Sequence, residues 1–515
     1  MGHRRWRLLG VGLVLVIVQA ASCPAALAGT AAVERRVDCI GDPHGGCGEF
    51  VTYTIAYRAA RGEPNDVTIT ALDNRSAAIH DDGAPVVAGR DCQQEGMHDA
   101  RCSVPDLFYD VLEARAFLGD GNDKARLLVA PGDPSAAAVG LGAEGGTGGD
   151  ILLGSKSGSG LEGGPGNDLL EADARSRSNA LYGGAGDDTL VGGPGDDYMY
   201  GGAGSDKLFG GAGNDTMQGD SVGARPARDV LDGGPGDDSV LYTDHSKPVN
   251  VDLSRSDGNG QRGENDHVVR VENVWGGAGS DRLVGDGQAN YIQGSDPEGT
   301  GAAKAVRGAH DVLIGRGGED DLEGEAARDV LLGGAGGDVL DGGGGGTRYR
   351  GGPGDDDISV VDTGAPAQIS CGPGGDRLHF ARPRDVFPAN CEEVQLSANA
   401  DFDVFTRITR SSADSVAMHL IVFSNEEGYC RAAIRLFVLH GTQRRLLGEG
   451  AVRIHQIDRK ERVSIALSGL GQTLLIPGRT LPVEVEGEGL RNCRAHWNEL
   501  GSPYPDFTVL AHIHG

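Results

Sequence analysis

Between Gly183 and Gln218 the chain repeats itself four times without a spacer. The units are Gly-Gly-Ala-Gly-Asp-Asp-Thr-Leu-Val, Gly-Gly-Pro-Gly-Asp-Asp-Tyr-Met-Tyr, Gly-Gly-Ala-Gly-Ser-Asp-Lys-Leu-Phe and Gly-Gly-Ala-Gly-Asn-Asp-Thr-Met-Gln. Glycine stands at positions one, two and four, aspartate at six and an apolar side chain at eight. The glycines permit positive φ and close backbone approach in a tight turn. The aspartate supplies a hard oxygen, and the eighth residue gives a short strand something to point inward. A single unit cannot bury its own apolar face, so the units must stack.

With the register set by positions six and eight, ten units start at Gly145, Gly154, Gly163, Ala172, Gly183, Gly192, Gly201, Gly210, Gly219 and Gly233. Eight more start at Gly276, Gly285, Gly294, Gly315, Gly324, Gly333, Gly342 and Gly351. All keep an apolar or aromatic residue at position eight, from Leu152 to Ile358, as a continuous inner core requires. Position six is aspartate in fourteen units: Asp150, Asp168, Asp188, Asp197, Asp206, Asp215, Asp229, Asp238, Asp281, Asp311, Asp320, Asp329, Asp338 and Asp356. In the other four it is Ser159, Asn179, Asn290 and Thr347.

This nonapeptide resembles the calcium-binding unit of the RTX, or hemolysin-type, family. The resemblance implies an all-β fold, a parallel β-roll in which two units make one coil, so that turns alternate between two edges. It further implies calcium (Ca2+) between units n and n+2, held by the fourteen aspartates and backbone carbonyls at roughly ten sites. On that parity Ser159 and Asn179 share one edge. The other is unbroken from Asp150 through Asp168, Asp188 and Asp206 to Asp229. Residues 242–275, with the alternating run Val249–Leu253 and the stretch Val268–Trp275, resemble the segment between repeat blocks in the same family. They are read as strand-bearing coils. Stacked carboxylates repel and the strands are short, so the metal-free array is expected to be largely disordered and the loaded array rigid.

Composition agrees with a solenoid. Glycine makes up 87 of 515 residues, more than twice the usual ~7 %. The formal charge of −29 becomes −32 without the first 28 residues, which hold Arg4, Arg5 and Arg7 and no acid. Such a balance argues against nucleic acid and anionic membrane as partners and in favour of cations. Those three arginines precede an apolar run, Leu8–Val18, too short to span a bilayer, and Ala26-Leu27-Ala28 fits a cleavage site. Residues 1–28 therefore read as a Sec signal peptide and the protein as secreted, with lipid anchoring at Cys23 the rival reading and no transmembrane segment. Eight cysteines remain, an even number that in an exported chain reads as disulfides. Proximity suggests Cys39–Cys47, Cys92–Cys102, Cys371–Cys391 and Cys430–Cys493.

The expected organisation is a β-rich N-terminal capping region over 29–144, repeat block one over 145–241, interblock strands over 242–275 and repeat block two over 276–359. A disulfide-closed cap follows over 360–397. Residues 398–515, poorer in glycine and alternating in short runs, read as a C-terminal antiparallel β-sandwich of Ig-like type with Cys430–Cys493 as its staple. No His-Glu-x-x-His or Gly-x-Ser-x-Gly motif arms the chain for proteolysis or lipolysis, so it is read as no enzyme. The leading reading is a secreted calcium-binding repeat protein of structural or cell-surface, adhesion-type role. The alternatives are a carbohydrate- or cell-wall-binding module presented by the sandwich, with extracellular glycans as partners, and a solenoid enzyme acting on polysaccharide.

Overall fold

Three-residue strands separated by glycine turns are the commonest element of this chain. Ile151–Leu153, Leu169–Glu171, Val230–Asp232 and Val339–Asp341 are examples. Each is too short to stand alone and places one side chain, the eighth of its unit, inward. A computed structural model describes residues 28–41, 47–104, 111–295, 309–325, 328–343, 346–360, 367–380 and 391, and nine strands between 393 and 514. The leader, apart from Ala28, and the insertion expected after Gly294 lie almost wholly outside the described residues. The described part is all-β, with a single short 3-10 turn, Pro134–Ala138.

The coil contains two units. Leu152 pairs in parallel with Leu170, Leu170 with Leu190, Leu190 with Leu208 and Leu208 with Leu231. Independently Leu161 pairs with Leu181, Leu181 with Met199, Met199 with Met217 and Met217 with Val240. Two parallel sheets thus face each other and exchange the chain at every turn. All eighteen eighth-position side chains, from Leu152 to Ile358, are 0 or 1 % exposed. They form one strip of core down the middle of the roll.

One face runs unbroken from the N-terminal strands through both blocks to Glu393–Ala398. The opposite face is made of two separate sheets. The first carries the strands of block one and ends at the antiparallel pair Asp257–Asn259 and Asp266–Val269. The second starts at Asn250–Asp252, which pairs in parallel with Arg282–Val284, and carries block two. Residues 242–275 are therefore the place where one face of the roll is exchanged while the other continues.

Strands outside the repeats cover both faces at the N-terminal end of the roll and the continuous face at its far end. The hairpin Gly29–Gly41 and Cys47–Arg58 leads into the continuous face through Val111–Asp120, and Asp66–Asp73 joins the opposite face through Lys124–Val129. At the far end Glu393–Ala398 is followed by the antiparallel strand Phe402–Phe405. Disulfides join Cys92 to Cys102 and Cys371 to Cys391. The expected Cys39–Cys47 and Cys430–Cys493 bridges rest on side chains outside the described residues.

Beyond residue 398 the strands differ from the expected two facing sheets. Ile408–Ser412, Ser415–Leu420, Cys430–His440, Gln443–Ile454, Glu461–Leu467, Thr480–Arg491 and Phe507–His514 hydrogen-bond into a closed barrel. Its first and last strands meet in parallel, Ile408 against Ile513, and the other neighbours are antiparallel. Alternation reads the same for a sandwich and a barrel. Closure follows here from strands of 11 and 12 residues whose register shifts, at Leu436/Phe437 and Arg431/Ala433, add the bend that lets the edges meet.

Candidate metal centres

The turns are shaped by what their glycines lack. A Cβ on Gly166 would lie 1.4 Å from the carbonyl oxygen of Gly148 one coil earlier, and one on Gly186 would lie 1.7 Å from that of Gly166. Both glycines have positive φ, +154° and +132°. Any side chain there is excluded twice, by conformation and by the backbone stacked against it. The first glycine of most units is constrained by close packing alone. A Cβ on Gly145 would meet Oδ2 of Asp150 at 2.3 Å and the Gly163 carbonyl at 2.7 Å. Carboxylate and carbonyl oxygens from successive coils therefore crowd around one point.

The aspartates form ladders along the two edges. Within each block Oδ1 accepts the backbone N–H of the sixth-position residue one coil earlier, and at the start of block two Oδ1 of Asp281 accepts that of Val249. On one edge these bonds run from Asp150 to Asp168 (2.7 Å), Asp168 to Asp188, Asp188 to Asp206 and Asp206 to Asp229 (each 2.8 Å). On the other, Asn179 donates to Asp197, Asp197 to Asp215 and Asp215 to Asp238. Block two repeats the arrangement, with Asp281 donating to Asp311 and Asp311 to Asp329 on one edge. On its other edge Asp320 donates to Asp338 and Asp338 to Asp356.

This fixes one oxygen of each carboxylate and leaves the other. Oδ2 of Asp150, Asp168, Asp188, Asp197, Asp206, Asp215, Asp238, Asp320, Asp338 and Asp356 is buried without a hydrogen-bond partner. All fourteen repeat aspartates are at most 3 % exposed. A buried carboxylate with one unsatisfied oxygen is costly unless a cation or a proton completes it. Burial accordingly pushes their pKa values up, to about 9 for Asp229, about 8 for Asp311 and about 7 for Asp188, Asp215, Asp320 and Asp356. Neighbouring carboxylates add to the effect, as Asp206 does at Asp188.

The four uncharged positions drop the charge, and Asn179 and Thr347 still accept from the coil before. Ser159 N–H donates to Asn179 Oδ1 (3.0 Å), and Asn179 Nδ2 donates to Asp197 Oδ1 (2.8 Å). Asp329 N–H donates to Thr347 Oγ1 (3.2 Å), and Asn290 Oδ1 accepts from Asp286 N–H (2.9 Å). Asp281 also differs: its Oδ2 is satisfied by Gly277 N–H (2.8 Å). The edge from Asp150 to Asp229 is thus fully acidic, and the opposite edge is so from Asp197 through Asp215 to Asp238.

Four residues outside the repeat pattern extend the ladders. Asp123 accepts from Asn65 N–H, donates its own N–H to Asp150 and keeps a partnerless Oδ2. Asp376 accepts from Asp356 N–H (3.1 Å). Both stand at the ends of degenerate glycine turns, Gly119–Asp123 and Cys371–Asp376, so their sequence context signals them. Asp266, which accepts from Asp229 N–H (3.0 Å), and Glu272, which accepts from Asp238 N–H (2.9 Å), carry no such context.

The donor set is carboxylate and carbonyl oxygen throughout, the chemistry of calcium and not of softer metals. The family model of the RTX calcium-binding nonapeptide repeat matches in four copies, over residues 180–220, 226–241, 272–296 and 314–349. The structure carries the same parallel pairing back to Gly140 and forward to Phe380. No curated protein matches the chain. The chain carries RTX calcium-binding nonapeptide repeats, and its parallel β-roll is built from them.

Proposed function

We propose that this is an exported structural or surface protein whose roll is completed by calcium outside the cell, with the fourteen repeat aspartates as ligands. The observation that carries the reading is the row of buried Oδ2 atoms with no partner. Calcium, when bound, supplies the positive charge and the oxygen coordination that these carboxylates lack. The chain's own residues do the rest. Oδ1 pins each aspartate to the adjoining coil, the glycines hold carbonyls close, and the leucine strip fixes the spacing between coils. Asp123 belongs to the same ligand row.

Export is supported by the basic and apolar leader and by two disulfides, which persist in oxidising compartments. Among the described residues no helix is long and apolar enough to cross a membrane. A structural role is supported by the use of the buried aspartates in ladders and by the absence of hydrolase motifs from the sequence. The test is calcium counting by equilibrium dialysis and atomic emission on the full chain. Roughly ten ions per chain with millimolar-range affinity are expected. Binding no tighter or denser than that of an unstructured acidic chain would overturn the assignment.

One observation favours a glycan-binding reading, on the roll in place of the C-terminal strands. Tyr182 and Tyr198 are 42 and 37 % exposed, and their rings lie 5.9 Å apart on the continuous face. Tyr182 also neighbours Tyr200 at 6.5 Å. Exposed aromatic rings on a flat, rigid sheet suit stacking against sugar rings. Glycan-array binding that disappears with Tyr182→Ala and Tyr198→Ala would establish this reading.

A further inference from the structure

The join between the two blocks gathers three buried side chains that no repeat turn uses. Asp220, His245 and Glu264 each bring one ligand-type atom within 4.8 Å of the others, and the residues are 5, 8 and 2 % exposed. They come from three places. Asp220 ends the strand Thr216–Asp220, His245 lies in the turn after Ser239–Leu241, and Glu264 lies between Asp257–Asn259 and Asp266–Val269. Asp220 stands in register with Gly202, the second glycine of its unit. Gly202 has φ +115°, whereas Asp220 does not take the left-handed conformation, so a carboxylate occupies what is a bare turn one coil earlier.

Three observations point to a ligand. First, Oδ1 of the buried Asp220 has no hydrogen-bond partner. Second, the imidazole is aimed. Nδ1 of His245 faces the Tyr242 carbonyl at 3.2 Å, and a carbonyl only accepts, so Nδ1 carries a proton. Nε2 then turns its remaining position toward Glu264 Oε1 at 3.0 Å. Two lone pairs do not face each other at that distance, so a second proton or a cation lies there. A second proton still leaves Asp220, Glu264 and the adjacent Asp266 facing one imidazolium. Third, the carboxylate is held in place: Gln261 donates its N–H to Glu264 Oε2 (2.5 Å) and its Nε2 to Oε1 (3.1 Å). A Cβ on Gly260 would lie 2.5 Å from Glu264 Oε2 and 2.4 Å from Asp266 Oδ2, so nothing but glycine fits beside the pair.

We propose that Asp220, His245 and Glu264 form a site for a divalent transition metal of zinc type, distinct from the calcium turns, that ties the last coils of block one to the interblock loop. An imidazole with two carboxylates suits zinc and its neighbours, whereas calcium takes oxygen alone. The location gives the site a purpose, because this is where one face of the roll changes sheet and the hydrogen-bonded ladder of that face stops.

The test uses the full chain in saturating calcium. The protein is equilibrated with zinc chloride and dialysed against zinc-free calcium buffer, and both metals are counted by atomic emission. The wild type is expected to retain a single zinc equivalent. His245→Gln and Asp220→Asn should each lose it while keeping the wild-type calcium count and far-UV dichroism. X-ray absorption at the zinc edge should show one imidazole nitrogen. A wild type that retains no zinc would reduce the cluster to a buried His245–Glu264 ion pair and overturn the proposal. Variants that keep the zinc would overturn it equally, by placing the metal at other histidines. Should His245→Gln fail to fold, Asp220→Asn, the nearly isosteric change, decides together with the absorption spectrum of the wild type.

Discussion

Replacing Asp206 by asparagine changes one oxygen in the middle of the fully acidic edge and nothing else of the coil. Oδ1 can still accept the Asp188 N–H, as Asn179 shows by accepting that of Ser159. What is lost is the partnerless Oδ2 and its charge. Asp206 lies between Asp188 and Asp229, so two successive calcium positions lose a ligand. At tenfold saturation each site contributes about 1.4 kcal/mol, so the loss of two is about 3 kcal/mol. For a unit of this size that corresponds to a melting temperature lower by roughly 6–11 °C. In chelator the sign reverses or vanishes. Burial raises the Asp206 pKa to about 6, so near pH 7.5 the ionised carboxylate is a burden to the metal-free roll that asparagine removes. Ser159→Ala is the control. It removes the hydroxyl that accepts the Ser155 N–H (2.8 Å), costing about 1 kcal/mol with and without calcium, and it removes no metal. Calcium counting together with calorimetry in calcium and in chelator reads all of this. Equal calcium loss from the two variants, or an Asp206→Asn protein with its full complement, would refute the two-edge arrangement of ligands.

The glycine turns give a second contrast. Gly186→Ala drives a Cβ to 1.7 Å from the Gly166 carbonyl and should abolish calcium-dependent folding of the neighbouring coils in chemical denaturation. Gly223→Ala, at φ +75° with open space around it, should cost only about 1 kcal/mol. A third expectation concerns pH. Asp229, Asp311 and Asp188 have folded-state values of about 9, 8 and 7, above the ~3.9 of an unfolded aspartate. The metal-free roll therefore holds protons that the unfolded chain has released, and its stability falls as pH rises from about 4 through 9. Denaturant melts in calcium-free buffer should show more structure at pH 5 than at pH 8, and saturating calcium should remove the difference. Greater metal-free stability at pH 8 would count against carboxylate burial as the cause.

Strict spacing made the roll legible. Position eight alone identified eighteen core residues from Leu152 to Ile358, and the parity of the units matched the observed pairing of n with n+2. Legibility faded wherever placement came from stacking and not from the repeat. Asp123 and Asp376 sit in recognisable but degenerate turns and extend the carboxylate ladders only because the neighbouring coil docks on them. Asp266 and Glu272 lie in an irregular segment with no glycine spacing to mark them. Asp220, His245 and Glu264 are separated by intervals no motif describes, and they meet because the face changes sheet at that point. The C-terminal barrel differs from the expected sandwich for a similar reason, since closure is decided by the pairing of Ile408 with Ile513.

The central claim is that calcium completes the roll, and the most direct measurement is a far-UV circular dichroism titration of the full chain from chelator into millimolar calcium. The stacked, partnerless carboxylates predict a large cooperative gain of β-signal over ~10⁻⁴–10⁻³ M calcium, reversed by chelator. Magnesium, which demands smaller and more regular octahedral sites, should reproduce little of it. A spectrum already fully β in chelator, and unchanged by calcium, would contradict the account.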